Sequence, residues 1–328
     1  MKHFWYSHLT LVLMAIAAFF YGGMGIVITV LMLASLEVSL SFDNAVVNAK
    51  ILNTMEAKWR QRFIIWGIPI AVFGMRFIFP IAIVAFAANM SMLDTLNMVM
   101  NDHEAFKHHL EDNKLGIYAF GGSFLLMVFL SWLFSEKEHV WLDILEDNLI
   151  IRKLSEIGHM NVLLAMAVGI YLANETQNMT VVLAYFGGIL LYEAIQALGD
   201  MFGEEDSTGS VVRSGLVGFL YLEVLDASFS FDGVIGAFAL SSDLIVITSG
   251  LFVGALYVRS LTIYMVDKKT LSEYIYLESG AHYAIGALAG IMFCKMFFEV
   301  NELIVGGVGI GFILIAFIHS MVGGNKSV

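Results

Sequence analysis

The chain has 328 residues, of which 59% are hydrophobic and only 14% are charged, and this balance excludes an ordinary soluble domain. A formal net charge of −12 argues against a nucleic-acid partner, because phosphate contacts require clustered Lys and Arg. The single cysteine, Cys294, excludes an internal disulfide as a source of stability.

Apolar runs near the ~20 residues that cross a bilayer recur along the whole chain, and the alternating pattern of a membrane β-barrel is absent. We therefore expect an all-α polytopic membrane protein, a single membrane domain over residues 1–328 with the lipid bilayer as its partner. About ten (9–10) transmembrane helices are predicted, and whether the first run is a true span stays open. The runs lie near residues 9–21, 24–52, 60–89, 115–134, 159–175, 179–198, 212–240, 243–265, 277–298 and 302–320.

Positively charged connections predict the orientation of these spans. If successive connections alternate between the two sides of the membrane, three of the basic connections fall on the same side. They contain Lys50 to Arg62, Arg152 with Lys153, and Lys268 with Lys269. This side is expected to be the cytoplasm, and both termini face it if there are ten spans. Over residues 138–157, apolar residues at helical spacing alternate with charges, which predicts a helix on the cytoplasmic membrane surface.

A motif in the second run is repeated later in the chain. LEVSLSFDNAV at residues 36–46 matches LDASFSFDGVI at residues 225–235. Downstream of each copy, GIPIAVFGMR ends at Arg76 and GLFVGALYVR ends at Arg259. The order of the matched segments is therefore kept in both halves.

The two halves form repeat A, about residues 24–134, and repeat B, about residues 212–298. The orientation given above directs the first motif helix inward and the second outward. We therefore expect an inverted repeat, the arrangement of secondary transporters in which two opposed helices build one site near the midplane.

Four oxygen-bearing side chains of the first motif fall in one narrow stripe on an unbroken helix at ~100° per residue. They are Glu37, Ser41, Asn44 and Asn48. Asp43 lies well away from the stripe, so either the helix is broken near it or Asp43 faces a different neighbour.

The second motif carries a similar set. Glu223, Asp226 and Ser230 share one helical face, and Asp232 is followed by Gly233, where a helix could unwind. A broken helix would let acids and freed carbonyls face one cavity, which a membrane tolerates only where that backbone is buried or wet.

Each charge at membrane depth costs at least ~2.5–3.5 kcal/mol, so the charges of five acids must be balanced there. The five acids are Glu37, Asp43, Glu223, Asp226 and Asp232. Arg76 and Arg259 can balance or gate at most two of them, so protonation or a bound cation must balance the rest. Carboxylate, carboxamide and hydroxyl oxygens favour hard or borderline cations, so the expected ion is Mn²⁺, Mg²⁺ or Ca²⁺. Structural ion pairs with the arginines are the competing explanation.

With its mirrored copy, the SFDNAV motif resembles the TerC (tellurium-resistance protein C) family of integral membrane proteins, in a TerC-related bacterial branch. The resemblance covers the chain from about residue 30 onward and implies a relationship to cation exporters, with manganese as the favoured substrate. By motif match, the implied ion-carrying residues are Glu37, Asp43, Asn44, Asp226 and Asp232. Gly233 stands where the first copy has Asn44, so the two halves would not supply identical ligands.

The function expected from these features is secondary transport of a divalent cation in exchange for protons. The direction of transport, export, is implied by the resemblance alone. Glu278 and His282, one helical turn apart, could relay protons or could be a hydrogen-bonded pair at a helix end. The alternative is a membrane scaffold, insertion or metalation-assisting factor whose buried acids form structural ion pairs. An enzyme is not expected, because no HExxH-type motif or intramembrane His set is present to hold a catalytic zinc. The oligomeric state does not follow from the sequence.

Overall fold

The computed structural model describes the backbone of residues 2–70, 73–74, 78, 81, 85, 90–137, 139–202, 204–205, 211–212, 215–241 and 243–323. Within these ranges the side chains of some residues, notably 227–236, lie outside the description. After a short 3₁₀ helix, Lys2–Phe4, the described elements are almost all α-helices.

In chain order the elements are α1 Trp5–Leu40, α2 Phe42–Thr54, α3 Ala57–Pro69, α4 Met92–Asn101, α5 His103–Asp112, α6 Lys114–Leu133, α7 Asp143–Glu146, α8 Leu149–Ser155, α9 Met160–Thr176, α10 Met179–Phe202, β1 Glu204–Glu205, β2 Val211–Val212, α11 Gly215–Leu240, α12 Leu244–Asp267, α13 Thr270–Glu273, α14 Leu277–Lys295 and α15 Glu302–Gly323. The two strands form one short antiparallel pair.

Several described helices are suited to a membrane. Five of them, α1, α6, α10, α12 and α15, are long and apolar enough to cross it. A sixth span results if the bent pair Asp143–Ser155 and Met160–Thr176 counts as one. The expectation of a polytopic helical membrane protein is confirmed at this level, and the figure of ten spans stays a prediction.

The chain forms two compact units, each built from two separate segments. Unit 1 contains Met1–Lys114 and Ser214–Asp267, and therefore both copies of the repeated motif. Unit 2 contains Leu115–Arg213 and Lys268–Val328.

Helix α1 of unit 1 reverses direction at a pair of glycines. A straight helix would separate Ser7 from Glu37 by about 45 Å. Instead, Ser7 Oγ donates a hydrogen bond to the carbonyl of Leu256 on α12, and Glu37 packs against Gly254 on the same helix. The backbone is non-helical at Gly22 (φ −159°, ψ 21°) and at Gly23 (φ 77°, ψ −165°). The first arm, residues 5–21, thus runs antiparallel to α12, and the second arm, residues 24–40, runs parallel to it.

Two glycines bring the second arm into close contact with α12. A Cβ atom at Gly250 would clash with Leu33 Cβ. A Cβ atom at Gly254 would lie 2.5 Å from Glu37 Cβ and 2.9 Å from the carbonyl oxygen of Ala34. Gly250 and Gly254 are four residues apart, which is the GxxxG spacing that lets membrane helices approach closely. Substitution of either glycine requires the two helices to separate.

Unit 2 contains an aromatic core at one end of α6, α14 and α15. Trp132, Trp141, Tyr283 and Ala316 are buried together, with Phe129 and Phe312 packed against them. Trp141 lies in the segment after α6, and its Nε1–H donates to His319 Nδ1 on α15 at 2.8 Å. The core therefore fixes the connection between α6 and α7.

Two predicted helices differ from the structure. The surface helix predicted over residues 138–157 is two short helices, α7 and α8, because Asn148 caps α8 by accepting from the N–H groups of Ile150 and Ile151. Together α7 and α8 meet α9 at 98°, which fits a segment lying along the surface if α9 crosses the membrane. Helix α11 continues through Gly233 to Leu240, so the unwinding that Gly233 would allow is absent from the described backbone.

Candidate functional site

The first motif contains a break in the helix, one of the two options that its sequence allowed. The Ser41 N–H donates to the Glu37 carbonyl as the last bond of α1, and helical bonding resumes when the Ala45 N–H donates to the Ser41 carbonyl. The N–H of Asn44 donates instead to Asp43 Oδ1 at 2.9 Å. The motif thus supplies a new helix N-terminus, that of α2, inside a largely buried segment.

The two motif copies meet at Asp226 of α11. Asn44 Nδ2 donates to Asp226 Oδ1 at 2.6 Å, and Asn48 Nδ2 donates to the same oxygen at 2.8 Å. Asn44 and Asn48 lie one turn apart on α2, so one carboxylate oxygen bridges two turns of the first motif helix. Residues that the sequence placed in separate halves are therefore in direct contact.

The two motif helices run in opposite directions. Trp59 lies in the first turn of α3, just after α2, and Gly215 is the first residue of α11. The distance from Trp59 Nε1 to the position of a Cβ at Gly215 is 3.4 Å. The C-terminal end of α2 therefore lies beside the N-terminal end of α11. Asp226 is 11 residues further along α11, near its middle.

Four buried oxygens beside Asp226 accept no hydrogen bond from the described part of the chain. They are Asn44 Oδ1, Asn48 Oδ1 and both carboxylate oxygens of Glu223. Asn44 is 5% exposed, Asn48 2% and Glu223 4%, so water has little access to them. Buried oxygens are normally paired, because leaving one unsatisfied costs about 1–3 kcal/mol. Such a cluster is the kind of site that a cation can complete.

Glu37 and Ser41 form a second buried pair, located where the second arm meets α12. Ser41 Oγ donates to Glu37 Oε1 at 2.8 Å, and Glu37 is 1% exposed. Gly254 makes room for the Glu37 side chain. The sequence did not identify Gly254 as part of the site, although the GxxxG spacing on an apolar helix was a visible signal.

Asp43 is buried at the beginning of α2. It is 4% exposed, and its described hydrogen bond is the one from the Asn44 N–H. A carboxylate in the first turn of a helix is stabilised by the positive end of the helix dipole. The dipole of α2 therefore partly offsets the cost of burying a charge at Asp43, which lies away from the amide stripe.

Arg259 of α12 supplies a buried positive charge. Its guanidinium carbon lies 3.7 Å from the centroid of the Phe63 ring on α3, and a Cβ at Gly67 would overlap the guanidinium. Arg259 and Asp226 both act electrostatically on Glu223. The charge-balancing role of Arg259 stays a prediction, and nothing in the sequence indicated its contact with Phe63.

Three further predicted residues are only partly covered by the structure. Arg76 lies outside the described residues. Ser230 and Asp232 lie on α11, one and two turns beyond Asp226, but their side chains are outside the description. Their predicted roles in binding or charge balance stay predictions.

The buried oxygens near Asp226 that could bind a cation belong to carboxylates and side-chain amides. Among the described side chains, no group of three or more His, Cys, Asp and Glu residues is arranged to hold a metal ion. A cation beside Glu223 would therefore depend on amide oxygens as well as carboxylates. That mixture is suited to hard cations and unsuited to copper(I).

Glu278 and His282 lie on α14 in unit 2, whereas all the motif residues belong to unit 1. His282 Nδ1 bonds to the Glu278 backbone carbonyl at 2.9 Å, and because a carbonyl can only accept, Nδ1 carries the proton. The His282 ring also stacks on Trp132, with centroids 4.7 Å apart. The described bond uses the backbone of Glu278, and the proton relay stays a prediction.

Comparison with known proteins identifies a family and no characterised relative. No curated protein and no solved structure is significantly similar to this chain. One family model, described as "Protein of unknown function (DUF475)", matches residues 42–327. The match includes α2, α11 and α12, and therefore the Asn44, Asn48 and Asp226 contacts. Because it covers most of the sequence, the chain belongs to the DUF475 family.

Proposed function

We propose that this protein is a secondary transporter that exports a divalent cation, with Mn²⁺ favoured, through a site in unit 1. The observation that carries the proposal is the junction at Asp226, where both motif copies meet beside four buried oxygens that lack donors from described residues. A purely structural junction would pair these oxygens, whereas a binding site leaves them for its ligand.

The donor types support a hard divalent cation, with Mg²⁺ and Ca²⁺ as the competing ions. In this proposal Glu223 and Asp43 supply negative charge, and the amides of Asn44 and Asn48 supply neutral oxygens. The other site residues expected from the two motifs are Glu37, Ser41, Ser230, Asp226 and Asp232. Arg259, held on Phe63, balances charge when the ion has left.

The proposal includes ten spans, an inverted repeat and a relationship to the TerC family. The antiparallel course of α2 and α11 supports opposed halves. Matched glycines also contact the other half, since Gly67 packs against Arg259 and Gly250 packs against Leu33. These are the contacts expected if two related halves form one site.

A bacterial inner-membrane location with the N-terminus in the cytoplasm belongs to the same proposal. His3 lies 3.5 Å from Asp267, so the N-terminus and the end of α12 share one end of unit 1. Tyr21 donates to Asp243 at the opposite end, next to the Gly22–Gly23 reversal. We assign the first end to the cytoplasm, because the positive-inside rule expects the connection rich in Lys and Arg after α2 on that side.

The direct test is Mn²⁺ flux into liposomes that contain only the purified protein. We expect flux in the wild type and its loss in Glu223→Gln, because that change removes a negative charge at nearly constant shape. Asp43→Asn and Asp232→Asn should also abolish flux. Glu156→Gln, at an exposed position of unit 2, serves as the control and should transport normally. Unchanged flux in all three site variants would overturn the site assignment.

The second candidate is a membrane scaffold or metalation-assisting factor. It is favoured by the lack of a three-residue metal cluster among the described acids, His and Cys, and by the charge of Arg259 near Glu223. The same liposomes distinguish the two candidates. Flux without a partner supports the transporter, whereas correctly folded protein without flux of Mn²⁺, Mg²⁺ or Ca²⁺ supports the scaffold.

A further inference from the structure

The second motif contains two acids one turn apart, and their hydrogen bonding differs. Asp226 Oδ1 accepts from two amide groups, at 2.6 and 2.8 Å. Glu223 accepts no hydrogen bond from any described residue at either oxygen. The sequence placed both acids on one helical face as candidate ligands, and their hydrogen bonding distinguishes them.

The two bonds to Asp226 fix the orientation of the amides. A carboxamide can be turned by 180° at little cost when nothing distinguishes its oxygen from its nitrogen. Here each Nδ2 must face Asp226 Oδ1, because the carboxylate can only accept. Asn44 Oδ1 and Asn48 Oδ1 are therefore directed away from Asp226 Oδ1, and both are buried without a described donor.

We propose that Asp226 is a positioning residue that orients the carbonyl oxygens of Asn44 and Asn48 toward the cation, and that Glu223 is the acid that binds it. This inference rests on the proposed function, since it assigns roles within the same site. The two lone-pair directions of Asp226 Oδ1 are already used by amide donors. Both oxygens of Glu223 are left for a ligand.

The inference gives the two acids different sensitivities to loss of charge. An asparagine at position 226 still presents a carbonyl oxygen that can accept from both amides, so it keeps them oriented. A leucine cannot accept, and the amides are then free to turn. At position 223 a glutamine keeps the size of the side chain but loses the charge that the cation requires.

The test measures Mn²⁺ affinity by metal-dependent thermal stabilisation of the full-length protein in detergent, since a ligand of the native state raises the melting temperature. We expect Asp226→Asn to keep Mn²⁺ affinity within about tenfold of the wild type, while Asp226→Leu loses more than about 100-fold. Glu223→Gln should remove the metal-dependent shift altogether. The preference for Mn²⁺ over Mg²⁺ should also be kept in Asp226→Asn and lost in Asp226→Leu. A merely structural role of Asp226 would not change this preference.

An infrared measurement tests the amides directly. Asparagine labelled with ¹³C at its side-chain carbonyl should show a Mn²⁺-induced shift of that carbonyl band in the wild type and in Asp226→Asn. The shift should disappear in the Asn44→Ser, Asn48→Ser double variant. No amide shift in a wild type that binds Mn²⁺ would overturn the inference.

Three outcomes separate this inference from the proposed function. If Asp226→Asn loses as much affinity as Glu223→Gln while the wild type binds Mn²⁺, then Asp226 is a ligand, and only the inference fails. If Asp226→Leu binds Mn²⁺ as tightly as Asp226→Asn, then Asp226 does not position the amides, and again only the inference fails. If the wild type neither binds nor transports Mn²⁺, Mg²⁺ or Ca²⁺, the proposed function fails and the inference fails with it.

Discussion

Two buried glutamates, one in each unit, have opposite surroundings. Glu146 of unit 2 is 5% exposed and accepts from the backbone N–H groups of Trp141 at 3.1 Å and Leu142 at 3.3 Å. Glu223 of unit 1 is 4% exposed and accepts from no described donor. The two side chains have the same chemistry and nearly equal burial, so burial alone does not reveal their roles.

The difference lies in what each carboxylate holds in place. Glu146 satisfies two N–H groups of a connecting segment and thereby fixes Trp141 in the aromatic core. Glu223 holds no described group and lies beside Asp226 and Arg259, whose charges both act on it. In the proposed function, Glu146 therefore belongs to the fold and Glu223 to the binding site, and substitutions at the two positions test this contrast.

The largest expected effect comes from the same substitution at both positions. Glu146→Gln should lower the free energy of unfolding by about 1–3 kcal/mol, because a glutamine leaves one of the two N–H groups facing an NH₂ group. Glu223→Gln should change it by less than about 1 kcal/mol while abolishing Mn²⁺-dependent stabilisation. Thermal unfolding with and without Mn²⁺ measures both quantities. The opposite order of stabilities would show that Glu223 is structural.

Two glycines at close helix contacts, one in each unit, allow the same comparison between the two units for helix packing. A Cβ at Gly254 of unit 1 would lie 2.5 Å from Glu37 Cβ, and one at Gly280 of unit 2 would lie 2.5 Å from Ala316 Cβ. Alanine at either position should destabilise the protein by about 1–3 kcal/mol through overpacking. Only Gly254→Ala should also weaken Mn²⁺ binding, since it displaces Glu37. Equal Mn²⁺ affinities in the two variants would show that Glu37 does not take part in Mn²⁺ binding.

Substitution at the reversal in α1 should affect folding alone, so it separates folding from binding within unit 1. Gly23 has a φ of 77° and a ψ of −165°, a conformation that is nearly restricted to glycine, so Gly23→Ala should cost about 1–3 kcal/mol. Gly25→Ala is the matched control, because nothing lies within 4 Å of its Cβ position and alanine is the better helix former by roughly 0.5–1 kcal/mol. Thermal unfolding should therefore show opposite signs for two glycines two residues apart. The metal-dependent shift should survive in both.

The smallest effect concerns an exposed ion pair outside the spans. Arg152 donates to both carboxylate oxygens of Asp147, at 2.6 Å each, and this hydrogen bonding lowers the pKa of Asp147 below its ordinary value. The stabilisation is therefore present above the ordinary pKa and is lost as the pH falls through the lowered one. In Arg152→Gln the Asp147 pKa, followed by carboxyl ¹³C NMR, should rise. An unchanged value would mean that the pair does not persist in solution.

The sequence was sufficient to predict the helical membrane class and the meeting of the two motifs. Burying Asn44, Asn48 and Asp226 in an apolar chain would be unfavourable without mutual contacts, and the repeat indicated which segments supply them. The gap between the first two predicted spans, residues 9–21 and 24–52, falls at Gly22 and Gly23. The structure places a reversal at that point.

The partners of individual side chains could not be predicted. Helical periodicity shows which residues share a face, but it does not show that Phe63 receives Arg259 or that two amides share Asp226 Oδ1. The same limit applies to the surface segment, where Asn148 ends one helix and begins another. Periodicity suggested a continuous helix, and local side-chain capping overrode it.

The reversal at Gly22 and Gly23 also constrains how the protein is made. Both arms of α1 pack on α12, which is synthesised more than 200 residues later, or about 10–40 s at 5–20 residues per second. During that interval the arms are in the bilayer without their partner helix, and Glu37 lacks the contact with Gly254. Membrane insertion must therefore tolerate a half-assembled intermediate, and a ribosome stalled before residue 244 should leave an N-terminal hairpin that is open to insertion chaperones and quality-control proteases.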